Sequence, residues 1–220
     1  MKKIFLALLV LTLAAGGAFA QISMGFGGNL AVNSDYIKLS LGNVSSEATV
    51  TTTGVGLFAF FDASFVEVDI GLLFGSQKSK SSSSSGGSQT IDGPDVSYLT
   101  LGVYGKYPIA VSSFTLFPML GIQLDIGLSA KQTINGTTYE ADSKDLPDAL
   151  NMFWVKLGVG ADFNLSDKMY IRPSFLFGLN FGTKDNNDAV NSYKSSYGSI
   201  LDVTNIYSGL DIRVALGFRL

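Results

Sequence analysis

The chain has 220 residues, 46% of them hydrophobic and 12% aromatic, with no cysteine, no histidine and a formal net charge of −3. The acidic balance argues against nucleic acid as a partner, and the missing cysteine excludes disulfide staples, thiolate nucleophiles and thiolate metal ligands. The missing histidine removes the ordinary base for activating a serine.

The first twenty residues, MKKIFLALLVLTLAAGGAFA, have the three parts of a secretory signal: cationic Lys2 and Lys3, an apolar stretch from Ile4 to Ala15, and Ala18-Phe19-Ala20 for the peptidase. That stretch is too short for a membrane span, which needs about 20 apolar residues. Cleavage after Ala20 is expected, and it leaves residues 21–220 as one domain. Because the leader carries Lys2 and Lys3 and no acid, its loss takes the charge from −3 to −5. No later apolar run approaches the length of a membrane helix, so any membrane contact must come from strands.

Apolar residues at every second position predict eight strands: Ile22 to Val32, Thr53 to Phe61, Phe65 to Gly75, Val96 to Ile109, Phe114 to Leu128, Met152 to Phe163, Met169 to Phe181 and Ile206 to Leu220. The connectors alternate. Those at 62–64, 110–113 and 164–168 are brief, whereas those after the first, third, fifth and seventh strands are polar and long, well beyond the usual hairpin loop of about 2 to 5 residues. Such sorting fits a barrel threaded through a membrane, with short turns on the periplasmic side and long loops outside. Among the long loops, Lys78 to Gln89 is serine-rich and expected to be mobile. Lys144 to Leu150 could form a helical turn. Asp185 to Asp188, DNND, lacks the glycine and distant Glu of a calcium loop.

From the third strand on, one parity is apolar and free of charge, as in Val66, Val68, Ile70, Leu72 and Phe74. An Arg or Lys at a bilayer midplane would cost about 2 to 4 kcal/mol, so this face suits lipid. The other parity holds Glu67, Asp69, Lys106, Asp125, Lys156, Asp162, Arg172, Asp211 and Arg213, with Tyr98, Tyr104, Gln123, Trp154, Tyr170 and many glycines between them. Five carboxylates thus face four bases across a lumen where they can neutralise one another. In the second strand either Val55, Leu57, Ala59 and Phe61 face lipid, or Gly54, Gly56, Phe58 and Phe60 do. Pro118 and Pro173 remove ladder donors, and bulges are expected there. Outward Tyr107, Phe114, Phe163 and Phe218 toward the short turns, and Phe74, Phe153 and Phe181 toward the long loops, fit aromatic girdles. The predicted fold is all-β: an eight-stranded antiparallel up-and-down transmembrane β-barrel with four long extracellular loops and short periplasmic turns.

The final stretch, SGLDIRVALGFRL, resembles the carboxy-terminal targeting strand of bacterial outer-membrane proteins, with Val214, Leu216, Phe218 and Leu220 as its assembly signal. The terminal Leu220 stands where that family most often has Phe. With the leader and eight strands, the chain is similar to the small outer-membrane barrels of the OmpX, OmpA and OmpW type. That resemblance implies residence in the outer membrane of a diderm bacterium, contact with its lipid, and handling by the outer-membrane assembly machinery. It also implies adhesion, envelope integrity, immune evasion or passage of small solutes as roles.

An eight-stranded lumen is just wide enough for side chains to fill, and the residues on the inward parity are large enough to plug it. The expected function is therefore a closed barrel displaying loops for an extracellular ligand, with a narrow channel for small solutes or ions as the alternative. Glu67 and Asp69 lie two apart on one face, which fits ion pairs with Arg172 and Arg213 better than an acid/base pair. No catalytic residue, cofactor or metal site is expected, and the protein should be a monomer.

Overall fold

The computed structural model describes residues 22–41, 44–84, 86–134, 136–142, 151–181 and 201–220. Within them the alternating segments form ten strands: β1 (Ile22–Leu41), β2 (Val44–Ala63), β3 (Val66–Ser83), β4 (Ser88–Lys106), β5 (Ile109–Val111), β6 (Phe114–Ile134), β7 (Thr137–Asp142), β8 (Met152–Asn164), β9 (Met169–Asn180) and β10 (Leu201–Arg219). A period of two gives a strand two unlike faces, and sheet closure lets it bury one of them without leaving an edge. The long strands pair antiparallel in the order β1-β2-β3-β4-β6-β8-β9-β10, and β10 returns to β1. Strands β5 and β7 are short additions at the two ends of β6. The eight long strands are the eight predicted, and they make an up-and-down barrel.

Register fixes the shape of the wall. Following cross-strand partners from Asp35 through Tyr207, Asn180, Trp154, Gln123, Gly102, Asp69 and Phe60 leads back to β1 at Gly25, a displacement of ten residues, from 35 to 25. A stagger of that size on eight strands tilts them by roughly 40° and keeps the interior narrow enough for side chains to fill.

The outward face is apolar along a continuous band. Met24, Phe26, Leu30 and Val32 project from β1, Ile70, Leu72 and Phe74 from β3, and Phe175, Phe177 and Leu179 from β9. In β2 the register is that of Val55, Leu57, Ala59 and Phe61 outward, with Leu57 70% exposed, while Gly54, Gly56 and Phe60 are buried inside. The aromatics expected near the strand ends also point outward. Phe114 and Phe163 stack at 5.3 Å, and Phe26 and Phe218 at 6.3 Å, on the short-turn side.

Three expectations change. The long connectors are largely strand: β1 and β2 stay paired out to Leu41 and Val44, and β3 and β4 stay paired out to Ser82 and Ser88. The serine-rich stretch expected to be mobile is therefore laddered on both sides, Ser79 facing Val50 and Ile91. Once the wall holds two strands side by side, lengthening the hairpin adds hydrogen bonds with little further loop-closure entropy. Gly87 and Gly136, at φ 62° and 79°, make the tight tips. The third connector is likewise a hairpin, β6 running on to Ile134 and returning as β7. Residues 144–150 and 183–199, with the proposed helical turn and DNND, lie outside the described residues, as do the leader and Ala20.

The prolines make no bulge. The carbonyl of Pro118 accepts from the Tyr107 amide just past the last β4–β6 pair, Lys106 with Met119, so its missing donor falls where that ladder already ends. Around Pro173 the β8–β9 ladder opens between the pairs Gly160 with Ser174 and Phe163 with Ile171, yet no residue is inserted. The register shifts lie elsewhere, between Ser76 and Lys78 and between Ser97 and Tyr98. The third change is in the first short turn. It is Ser64 and Phe65 alone, with Ser64 at φ 60°, because β2 carries Asp62 within its length.

The outward band predicts a depth-dependent penalty. In urea unfolding from phospholipid vesicles, Leu57→Arg, at the middle of the band, should lose about 2 to 4 kcal/mol, and Thr53→Arg, at its rim, about 0 to 1 kcal/mol. Equal losses at the two positions would contradict this placement of β2.

Candidate functional site

The inward parity carries the charged residues, and the short inter-strand distances of a narrow barrel bring them within bonding reach of opposite walls. Arg172 on β9 is the hub nearest the short turns. Its Nε and Nη2 donate to the two oxygens of Asp162 at 2.6 and 2.7 Å, its Nη1 donates to Glu67 at 2.5 Å, and its Nη2 also donates to Asp62 at 2.6 Å. One guanidinium thus joins carboxylates from β8, β3 and β2. Lys106 on β4 donates to the same Asp62 oxygen. The fork geometry of arginine suits this planar multiple bonding in a way a lysine could not reproduce. Aromatic rings stack on the guanidinium, Phe60, Phe117 and Tyr170 lying 4.8 to 5.0 Å from its carbon.

Above this layer Arg213 on β10 donates to Asp69 at 2.7 Å, with Glu67 at 3.6 Å and the Phe58 ring at 3.9 Å. The third layer is mixed. Lys156 donates to Asp211 and, at 2.9 Å, to the Gln123 carbonyl, which also accepts from Tyr104 at 2.8 Å. Asp125 accepts from the Gln123 amide at 2.6 Å and from the Trp154 indole at 2.8 Å. Nearly all of these side chains are buried, Tyr104 at 0% exposure and Lys156 at 2%. Glycines on neighbouring positions make the room: a Cβ at Gly102 would overlap the Asp69 carboxylate and the Tyr104 ring, and one at Gly217 would overlap the Tyr170 ring.

All nine charged residues predicted for the lumen lie in these layers. The sequence reading missed Asp62. It sat in a presumed turn because the β2 register was open. Fixing Phe60 as inward would have placed Asp62 inward too, two residues on. With it the three layers hold, among the described residues, six carboxylates, Asp62, Glu67, Asp69, Asp125, Asp162 and Asp211, against Lys106, Lys156, Arg172 and Arg213. Glu67 and Asp69 each accept from an arginine, so neither is disposed as a free acid or base.

Beyond the apolar band, toward the long hairpins, the inward face carries Asn33, Asp35, Asn205 and Tyr207. Burial pushes the Asp35 carboxyl up to about 6, partly opposed by a hydrogen bond from Tyr207. Among the described residues no group of three or more Asp and Glu is arranged to hold a metal.

The layered network predicts a sharp asymmetry between buried and exposed charge. Arg172→Met leaves the buried Asp62 and Glu67 and the partly buried Asp162 without their common partner and should cost about 3 to 5 kcal/mol in urea unfolding. Lys131→Met, at an exposed position, should change stability by no more than about 0.5 kcal/mol. A small loss at Arg172 would contradict the network.

No curated protein sequence is significantly similar to the chain. Solved structures of similar fold include the Neisserial surface protein A, 10% identical with a TM-score of 0.40 over 88% of this chain and 97% of that one. OprG of Pseudomonas aeruginosa is 13% identical with a TM-score of 0.48 over 93% and 98%. Ail of Yersinia pestis, solved with the heparin analogue sucrose octasulfate, is 11% identical with a TM-score of 0.32 over 89% and 99%. The family model described as outer membrane protein beta-barrel domain matches residues 5–213. A match of that span, on a closed ring of eight strands with an apolar exterior and an ionic interior, makes the chain a member of the outer-membrane β-barrel family, resident in the bacterial outer membrane.

Proposed function

We propose that the barrel is a closed anchor in the outer membrane that works through the surface it displays outside the cell, as a binding or adhesion module or in envelope integrity. The observation that carries this reading is the filled lumen. Three stacked layers of ion pairs and hydrogen bonds span it, and Tyr98, Tyr104, Phe117, Trp154 and Tyr170 are all buried within it. Opening a path would expose paired charges one layer at a time, at the cost of breaking buried ion pairs. The hairpins β1–β2, β3–β4 and β6–β7 continue the wall beyond the apolar band as polar, hydroxyl-rich strands, and these are the surfaces offered to a ligand. The protein acts as a monomer, has no catalytic role, and reaches its membrane by cleavage after Ala20 and recognition of Val214, Leu216, Phe218 and Leu220 by the assembly machinery.

A second reading, a narrow path for small cations, draws on one observation: in the three lumen layers acids outnumber bases six to four among the described residues. Planar-bilayer recording of the folded protein separates the two. The closed anchor predicts a silent bilayer, together with loss of the cellular phenotype when the β1–β2 and β3–β4 hairpins are cut back to short turns. Long-lived, reproducible openings, or a phenotype indifferent to those deletions, would overturn it.

A further inference from the structure

The outer side of the wall carries a cavity of about 670 Å³, within the size range of ordinary ligand sites. Two neighbouring rungs of outward residues line it. The first passes from Ile212 through Leu30, Val55 and Phe74 to the hydroxyls of Ser97 and Ser129. The second, one pleat nearer the hairpins, begins at Leu210 and Val32 and ends at Asp95, Lys131 and Glu140. The ten-residue stagger makes each rung climb toward the hairpins in passing from β1 through β4 to β6. The apolar end of the cavity therefore lies in the lipid-facing band and the charged end farther out. That is the polarity of a membrane lipid, with its tail in the bilayer and its headgroup toward water.

The charged end selects among headgroups. Asp95 pairs with Lys131 across the ladder and Lys131 with Glu140, so the three side chains stand on one face, about 5 Å from one to the next. All three are exposed, and no ion pair joins any of them to another described residue. Beside Lys131, Ser97 and Ser129 share one hydrogen bond at 2.7 Å, which leaves one hydroxyl hydrogen to donate outward. The order of charges is thus acid, base, acid. A purely anionic headgroup would meet one ammonium flanked by two carboxylates. A headgroup with a phosphate and an ammonium a few ångströms apart matches the rung, phosphate against Lys131 and the free serine hydroxyl, ammonium against Asp95 or Glu140. An ammonium that carries N–H also makes charge-assisted hydrogen bonds, which a trimethylated one cannot.

We propose that this cavity is a binding site for phosphatidylethanolamine, with an acyl chain along Leu30, Val55 and Phe74 and the headgroup on Asp95, Lys131 and Glu140. The site is on the outer wall, so it depends neither on conduction through the lumen nor on a ligand at the hairpins.

Native mass spectrometry of the detergent-refolded chain, titrated with lipids of identical acyl chains, reads this binding directly. Phosphatidylethanolamine should bind at concentrations at least about fivefold below those needed for phosphatidylcholine or phosphatidylglycerol. Lys131→Met should raise its half-saturating concentration by at least about fivefold. Asp95→Asn combined with Glu140→Gln should abolish the preference over phosphatidylglycerol, whereas Lys168→Met, at the exposed short-turn end, should change neither quantity. Heat-dependent gel mobility confirms that each variant is folded. Equal binding of the three lipids by the wild type would overturn the proposal, and so would a preference for phosphatidylglycerol or phosphatidylethanolamine binding indifferent to the substitutions at Asp95, Lys131 and Glu140.

Discussion

The bonds that Arg172 makes to Asp162, Glu67 and Asp62 tie four strands of the wall to one point inside it. A charge removed from water in so narrow a space is tolerable only when paired and hydrogen-bonded, and here the pairs come from strands far apart in sequence. The network thus holds only when the whole barrel is closed in the observed register. A slip of one residue on any strand would turn its acids or bases toward lipid and its leucines inward. The ion pairs add less to net stability than they do to uniqueness, since the apolar exterior is compatible with other registers and the ionic interior is not.

Space for this interior comes from glycine. Gly102, Gly121, Gly160 and Gly217 each stand where a Cβ would overlap a neighbouring aromatic ring, so large side chains can lie flat across the lumen. Aromatic faces then serve twice, filling volume and stacking on the guanidinium and ammonium groups. The same wall continues beyond the apolar band as long hairpins, whose ladder is an extension of the barrel's own pairing. A rigid, closed base and projecting polar strands follow from one register.

Much of this was legible in the sequence, and the exceptions have physical reasons. Strands with an uninterrupted apolar parity, such as Val66 to Phe74 and Phe153 to Phe163, declare both their existence and their faces. The second strand hid its register because Phe58 and Phe60 point inward to stack on Arg213 and Arg172, so both parities look apolar. That ambiguity carried Asp62 into a turn and out of the expected network. Serine-rich and threonine-rich segments read as loops because nothing local marks them as strand; they are strand because their neighbours in the barrel already hold them in place. Pro118 and Pro173 looked disruptive, yet one falls where a ladder ends and the other opens a ladder without shifting it.

The chain has three arginines, Arg172, Arg213 and Arg219, which allows a direct test of a closed, ion-paired lumen. Solution NMR of the folded protein in detergent can follow hydrogen exchange at each guanidinium Nε. Arg172 and Arg213, buried and bonded to carboxylates, should exchange slowly with solvent, while Arg219, whose partners lie at the exposed short-turn end, should exchange fast. Rapid exchange at all three would mean that water reaches the lumen freely and that the ionic layers do not close it.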